Sequence, residues 1–289
     1  MFDDEFRLVY DVVVRGRYKG LDKEVKKKHV YIAKRNKVLL QFLRTTNVKN
    51  DIRLHEEVRY KRYLKNLKRV NMLLDGLDYL YVKLYKPVEY VPADIDILVK
   101  HSEIYKVVDR LSGKGYRVDV VEPYCITMVD EDIIVDLYIF PTLAGIIYLD
   151  VRDFTSFREY VVFNGMEIPV LRPFVEALLT VVHAIYKERI YTLNDYITVT
   201  KWFNKDSLKL AMKLKCINAV IEAFKINRLV DRGVISLPYR IPLARWIVLL
   251  AVKFINDEYS RGTSLNLLRS LKDVRIGKHI ISKMTRESY

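Results

Sequence analysis

The chain has 289 residues, of which 51% are hydrophobic and 30% are charged, a composition that excludes a disordered protein and is typical of an ordered globular one. The two cysteines, Cys125 and Cys216, are far apart in sequence, so we expect no disulfide framework and a reducing, cytoplasmic location. No apolar run reaches the ~18 residues that span a bilayer, and the acidic beginning of the chain is unlike a signal peptide. We therefore expect no membrane association.

The formal net charge of +14 is concentrated in one block. Residues 15–70 contain 19 Lys or Arg and 5 Asp or Glu, so the other residues are balanced in charge. Such a block indicates a polyanionic partner, RNA in preference to DNA. The alternative is a solvated helical face on a thermophilic protein. The single glutamine of the chain is typical of a hyperthermophile or, alternatively, of an AT-rich genome. The predicted nucleic-acid contacts are Arg53, Arg59, Arg62, Lys65 and Arg69.

Three amphipathic helices are predicted at the beginning of the chain. They span residues 2–14, about 22–44 and about 51–74, and Gly16 and Gly20 end the first. In the third helix, the apolar residues expected to face inward are Leu54, Val58, Leu64, Leu67 and Met72. The tyrosines among the basic residues either stack on bases or fill a helix interface; they are Tyr31, Tyr60 and Tyr63.

After residue 76 the apolar pattern becomes that of strands. The predicted strands are 78–85, 91–99, 116–121, 124–129, 133–140, 159–163 and 166–171. With a helix at 102–111, this order predicts a small mixed sheet with helices on one side.

The pattern from Pro173 onward is helical, with predicted helical segments at 206–225 and 243–257 and a second basic stretch at 265–289. The expected fold class is α+β, a small mixed sheet flanked by N-terminal and C-terminal helical regions. The expected domains are a basic helical region (1–76), an α/β core (77–171) and a helical bundle (172–289).

Acidic residues interrupt two of the apolar strands. Asp94 and Asp96 are two residues apart, so they point to one face of a strand while Ile95 and Ile97 point to the other. Burying like charges together is costly, and a cation lowers that cost. Oxygen ligands suit Mg²⁺ or Mn²⁺. Asp136 stands at the centre of another apolar strand and completes the cluster if the strands are neighbours; the alternative is that these acids are solvated at strand ends.

Asp-x-Asp on an apolar strand, followed about 40 residues later by a lone Asp on another, resembles the nucleotidyltransferase core of the DNA polymerase β superfamily. The run from Val82 to Pro87 leading into Asp94 resembles uncharacterised nucleotidyltransferases of archaea. The resemblance implies that Asp94, Asp96 and Asp136 hold two divalent metal ions and that an NTP is the substrate. One ion would lower the pKa of the acceptor hydroxyl and the other would hold the triphosphate, while Asp136 would assist deprotonation.

The chain departs from that family in the segment before Asp94. The family places a Gly-Ser or Gly-Gly pair about ten residues upstream to receive the triphosphate, and this position reads Lys83-Leu84-Tyr85-Lys86. Lys83 or Lys86 would then supply charge to the phosphates; the alternative for Lys83 is a lysine on an edge strand. Asp195 either lines the nucleotide pocket or caps a helix. His183 is expected to be packed among apolar residues.

The first hypothesis is therefore a metal-dependent nucleotidyltransferase that moves NMP from an NTP to a hydroxyl of an RNA, a protein or a small molecule. A second is an inactive protein of the same fold that binds nucleic acid through its basic N-terminal helices. A third is the toxin of a toxin–antitoxin pair that modifies tRNA or a partner protein, which shares the chemistry of the first and differs from it only in the acceptor.

Overall fold

The structure, a computed structural model, describes residues 3–17, 25–143, 145–150 and 153–266. The α-helices are α1 (Asp4–Arg15), α2 (Lys27–Arg35), α3 (Leu39–Thr45), α4 (Asp51–Leu73), α5 (Ile104–Ser112), α6 (Pro173–Val182), α7 (Leu193–Trp202), α8 (Lys205–Lys213), α9 (Ile217–Asp231), α10 (Leu243–Asn256) and α11 (Glu258–Gly262). A π-helical turn, His183–Glu188, extends α6.

The strands are β1 (Tyr79–Tyr81), β2 (Asp94–Val99), β3 (Arg117–Glu122), β4 (Cys125–Val129), β5 (Ile134–Tyr138), β6 (Thr142–Leu143), β7 (Ile146–Ile147), β8 (Arg158–Phe163), β9 (Met166–Leu171), β10 (Ile190–Tyr191) and β11 (Tyr239–Arg240). Seven of them form one sheet in the order β3-β4-β5-β2-β1-β9-β8. The pairs β2–β5 and β1–β9 are parallel and the others are antiparallel. The predicted α+β class, a mixed sheet flanked by helices, is confirmed.

Helices cover both faces of this sheet, so the prediction of helices on one side is wrong. Ile95 and Ile97 of β2 pack in the same apolar cluster as residues of α4 and α5. Leu98 of β2 and Leu80 of β1 pack in a second cluster with residues of α1, α3, α6, α7 and α9. Because the central strands carry apolar side chains on both faces, the sheet needs a cover on each.

The second predicted helix is two helices. Helix α2 ends at Arg35, Lys37 has a left-handed backbone with φ of 56°, and α3 begins at Leu39. The break is set by Asn36, whose side-chain amide donates to the Leu237 carbonyl at 2.8 Å and accepts from the Leu193 N–H at 2.9 Å. The predicted start of this helix, at 22–24, lies outside the described residues.

Helix α4 spans nearly the predicted range, but it buries a different face. Leu54, Val58 and Met72 are exposed, while Leu67 is fully buried and Leu64 is partly buried. The buried face comprises Glu56, Tyr60, Tyr63, Asn66, Leu67 and Val70. Two of the three tyrosines therefore fill a helix interface, and the predicted inward positions of Leu54, Val58 and Met72 are wrong.

This burial predicts effects of very different size on stability for two leucines of α4. Leu67 is 0% exposed and Leu54 is 62% exposed. We expect Leu67→Ala to lower the free energy of unfolding by about 2–5 kcal/mol because it leaves a cavity. Leu54→Ala, the matched control, is expected to change it by less than about 0.5 kcal/mol. Urea titrations of both variants measure the difference, and equal losses would contradict this orientation of α4.

Two further predictions differ from the structure in extent. Strand β1 ends at Tyr81, because Lys83 has a φ of 59° that a strand does not accommodate. The predicted helix at 206–225 is interrupted by Lys215, whose φ is 54°, and becomes α8 and α9. Most of the basic stretch at 265–289 lies outside the described residues. Within the described ranges, none of the helices combines the length and the apolarity that a membrane crossing requires.

Candidate active site

Three carboxylates meet on one face of the sheet. Asp94 and Asp96 lie on β2, and Asp136 lies on the parallel neighbour β5, where the register sets Asp96 beside Asp136. One carboxylate oxygen from each residue lies within 4.8 Å of the other two. The cluster forms because side chains alternate along a strand, which sends the acids to one face and Ile95 and Ile97 to the other. The structure thus brings the three predicted acids together.

The electrostatics of the cluster centre on Asp96, which is 6% exposed. Burial and the neighbouring Asp94 carboxylate raise the pKa of Asp96 to about 7, although the Lys83 ammonium opposes this. The Lys83 Nζ atom lies 2.5 Å from Asp96 Oδ1. Burial alone would lower the pKa of Lys83, but Asp96 and Asp94 raise it above its usual range. In the structure the cation beside these carboxylates is therefore a lysine of the same chain.

Asp136 is oriented by hydrogen bonds to both of its oxygens. Thr127 of the adjacent β4 donates its hydroxyl to Oδ1 at 2.6 Å, and Tyr138 donates to Oδ2 at 3.2 Å. Lys187 in turn donates to the Tyr138 hydroxyl at 3.2 Å. These bonds fix the rotamer of Asp136, as partners of the ligand side chains commonly do in metal sites.

The carboxylate cluster lies in a cavity of about 570 Å³, a volume within the roughly 300–1,000 Å³ of small-molecule sites. Besides the three aspartates, the described residues that line it include Glu56, Glu188 and His183. The cations of its wall are Lys34, Lys37, Arg59, Lys83 and Lys187. Five cationic and five carboxylate side chains therefore face one cavity, as expected for a site that binds both metal ions and an anion.

The donor set fits Mg²⁺ or Mn²⁺. It contains three carboxylates and no sulfur, which suits these cations. The raised pKa of Asp96 marks a site where like charges are held together in a buried position, and a divalent cation would offset that repulsion. Asp94, Asp96 and Asp136 are the residues that would hold it.

Residues 83–86, which stand where the resembling family has its glycine pair, are anchored by Glu176 of α6. The Lys83 N–H donates to Glu176 Oε2 at 3.1 Å, and the Lys86 Nζ atom lies 2.8 Å from Glu176 Oε1. Lys86 also contacts the Thr180 hydroxyl, and its side chain is 5% exposed. Among the described residues, the cavity lining therefore includes Lys83 but not Lys86, and Lys86 lies in a buried ion pair.

Asp195 forms a capping box at the beginning of α7. Its Oδ2 accepts from the Thr192 N–H at 2.8 Å and from the Thr192 hydroxyl at 2.7 Å, and the Thr192 hydroxyl accepts from the Asp195 N–H. Asp195 is not among the described residues that line the cavity. Its carboxylate nevertheless raises the pKa of the cavity residue Lys37, although burial outweighs it.

The five basic residues predicted to bind nucleic acid occupy different surroundings along α4. Arg59 lines the cavity and pairs with Glu56 at 2.6 Å. Arg69 pairs with Asp130 at 2.7 Å, Arg62 lies 3.9 Å from Asp132, and Arg53 lies 4.0 Å from Glu57. Lys65 is exposed. Four of the five residues therefore lie within ion-pair distance of a carboxylate, one of these four, Arg59, also lines the cavity, and Lys65 is exposed.

Several cavity residues were missed by the sequence analysis: Lys34, Lys37, Tyr138, Lys187 and Glu188. His183, expected to be packed, also lines the cavity, with Nε2 3.5 Å from Lys83 Nζ. It shares the π-helical turn with Lys187 and Glu188, a distortion often found at functional sites. No spacing in the sequence predicts this turn.

Known proteins offer few comparisons. No protein-family model and no curated protein matches the chain. The lincosamide antibiotic adenylyltransferase LnuA, solved with lincomycin bound, is 15% identical over 49% of this chain and 94% of its own, with a TM-score of 0.35. A proposed nucleotidyltransferase from Thermotoga maritima is 15% identical over 60% of this chain and 94% of its own, with a TM-score of 0.31. Scores this low do not establish a shared fold.

Proposed function

We propose that the protein is a metal-dependent nucleotidyltransferase, which transfers NMP from an NTP to a hydroxyl group. The observation that carries the proposal is the convergence of Asp94, Asp96 and Asp136, one oxygen from each within 4.8 Å of the others, in a cavity of about 570 Å³. A cluster of carboxylates beside cationic walls suits a reaction in which metal ions and a polyphosphate meet.

In this reaction the acceptor oxygen forms a bond to the α-phosphorus, and the bond from that phosphorus to the bridging oxygen breaks, releasing pyrophosphate. Bound Mg²⁺ or Mn²⁺ supplies positive charge that offsets the charge of the reacting phosphates. Asp136 accepts the proton of the acceptor hydroxyl, and its orientation by Thr127 and Tyr138 supports this role. Lys83 supplies charge to the phosphates, in keeping with its position in the cavity wall.

For the acceptor, we propose an RNA in preference to a protein or a small molecule. Helix α4 lines the cavity with Arg59, and Arg62 and Lys65 are exposed on the same helix. Exposed cationic side chains on the helix that lines the reaction site favour a polyanionic acceptor. A toxin that modifies RNA or a partner protein would use the same chemistry.

A second candidate is an inactive protein that binds nucleic acid on the same fold. The Lys83–Asp96 ion pair and the absence of a glycine pair favour it. In that protein, Lys83 would permanently replace the metal ion as the counter-charge of the cluster, and the basic residues would bind nucleic acid without chemistry.

A thermal-shift titration with Mn²⁺ and each of the four common NTPs separates the two candidates. A ligand that binds only the native state stabilises it by about 2.7 kcal/mol at a hundredfold excess over its dissociation constant. We expect a Mn²⁺-dependent shift with at least one NTP, lost in Asp94→Asn. Asp119→Asn, the same change at an exposed position of β3, is the control and should keep the shift. No Mn²⁺-dependent shift in the wild type would overturn the proposal.

A further inference from the structure

One wall of the cavity is built by the basic N-terminal helices. It includes Lys34 at the end of α2, Lys37 in the turn between α2 and α3, and Arg59 of α4. Each cation comes from a different element of the block that carries the net charge of the chain. Part of that charge therefore lines the cavity of the carboxylate cluster, where Lys34 and Arg59 also remain exposed to solvent.

The Lys37 turn is held in a fixed position. Lys37 has a φ of 56°, a left-handed backbone conformation that is strained for a non-glycine residue and often occurs at functional sites. Its carbonyl accepts from the Asn194 side-chain amide at 3.1 Å. The preceding Asn36 is buried and bonds to Leu193 and Leu237. These bonds to distant segments keep the strained turn at the edge of the cavity.

A second lysine reaches the cavity in the same way. Lys83 has a φ of 59°, its N–H donates to Glu176, and its carbonyl accepts from the Tyr90 hydroxyl. Both lysines thus extend from left-handed turns that tertiary hydrogen bonds hold in place. A rigid turn leaves only the side chain of the lysine to be ordered when an anion binds.

The charged groups near Lys37 are Lys83, Asp94 and Asp96 of the cavity and Asp195 of α7. Burial, with a smaller effect of Lys83, lowers the pKa of Lys37 to about 8, although Asp195, Asp94 and Asp96 raise it. At neutral pH the ammonium form still predominates.

The charge balance of the cavity favours a strongly anionic ligand. Five cationic and five carboxylate side chains leave its described lining neutral. Two divalent cations on the aspartates would add four positive charges. A fully ionised triphosphate carries roughly four negative charges, so metal ions and triphosphate together would restore neutrality.

We propose that Lys37, with Lys34 and Arg59 beside it, binds the β- and γ-phosphates of the nucleotide. The triphosphate subsite is then built from the N-terminal helices, where the resembling family uses a glycine pair. This inference rests on the proposed function and extends it, because it assigns part of the basic block to the substrate and leaves the rest of α4 for the acceptor.

Calorimetric titration with inorganic tripolyphosphate in the presence of Mn²⁺ tests the subsite without requiring turnover. We expect Lys37→Met to weaken tripolyphosphate binding about tenfold or more, since a charge-assisted contact is lost. Binding of the four NMPs should change less than twofold. Lys37→Arg should recover part of the affinity, and Lys34→Met, which leaves the turn intact, should weaken binding a few-fold. Lys28→Met removes a charge from the exposed part of α2 and should have no effect.

The inference is overturned if the wild type does not bind tripolyphosphate, or if Lys37→Met and Lys34→Met bind it as the wild type does. Its failure is distinguishable from failure of the proposed function. If Mn²⁺-dependent NTP binding requires Asp94 but not Lys37, the proposed subsite is wrong and the proposed function stands. If tripolyphosphate binding requires Lys37 but neither Mn²⁺ nor Asp94, the subsite is supported and the metal-dependent transferase is wrong.

Discussion

Replacing Asp136 by Asn is expected to reduce nucleotidyl transfer by about a thousandfold. The amide has nearly the shape of the carboxylate but does not accept the proton of the acceptor hydroxyl, and general-base catalysis is worth roughly 10²–10⁴-fold. The amide oxygen is also a weaker ligand for a metal ion than a carboxylate oxygen, so part of the electrostatic stabilisation of the phosphates is lost. Incorporation of label from α-³²P-NTP into total RNA and into the protein itself measures the loss.

The control for this variant is Asp119→Asn, which makes the same chemical change at an exposed residue of β3. It should transfer at the wild-type rate. Asp136→Asn should keep its native circular dichroism, because Thr127 and Tyr138 still have a polar partner. Transfer by Asp136→Asn within threefold of the wild type would contradict the role of Asp136 as the base.

Replacing Glu176 by Gln is expected to lower the free energy of unfolding by about 3–5 kcal/mol. Glu176 is 3% exposed and Lys86 is 5% exposed, and their charged atoms lie 2.8 Å apart. Removing one member of a buried ion pair leaves the other charge without compensation, and this costs far more than the net value of the pair. Urea unfolding of the variant measures the change.

Glu222→Gln provides the matched control. Glu222 also accepts from a cation, Arg245, at 2.7 Å, but the Arg245 side chain is 42% exposed, so the loss should stay below about 1 kcal/mol. The double variant Lys86→Met with Glu176→Gln removes both charges, keeps an acceptor for the Lys83 N–H and should recover most of the stability. A similar small loss for Glu176→Gln and Glu222→Gln would show that water compensates Lys86, contrary to its burial.

The carboxylate cluster was predictable because its cause is local. The period of two along a strand places Asp94 and Asp96 on one face, and apolar neighbours on both sides of Asp136 predict a buried strand. The neighbouring positions of β2 and β5 then brought Asp96 and Asp136 together.

The basic wall of the cavity was not predictable from local pattern. The α2–α3 break depends on hydrogen bonds from Asn36 to Leu193 and Leu237, more than 150 residues away in sequence. Lys37 has no neighbour in sequence that marks it as a cavity residue. In α4, tyrosines at positions 60 and 63 form the buried face while Leu54 and Val58 are exposed, so hydrophobicity alone predicted the wrong face. Tertiary contacts decided both outcomes.

The central claim is that Asp94, Asp96 and Asp136 form a metal centre for a nucleotide, and anomalous X-ray diffraction tests it directly. Crystals grown with Mn²⁺ and a non-hydrolysable NTP should show anomalous density at coordination distance from the three carboxylates, with the triphosphate beside it. Asp96→Asn crystals prepared in the same way serve as the control and should lack that density. Wild-type crystals without manganese at the cluster, with Lys83 still bound to Asp96, would contradict the claim.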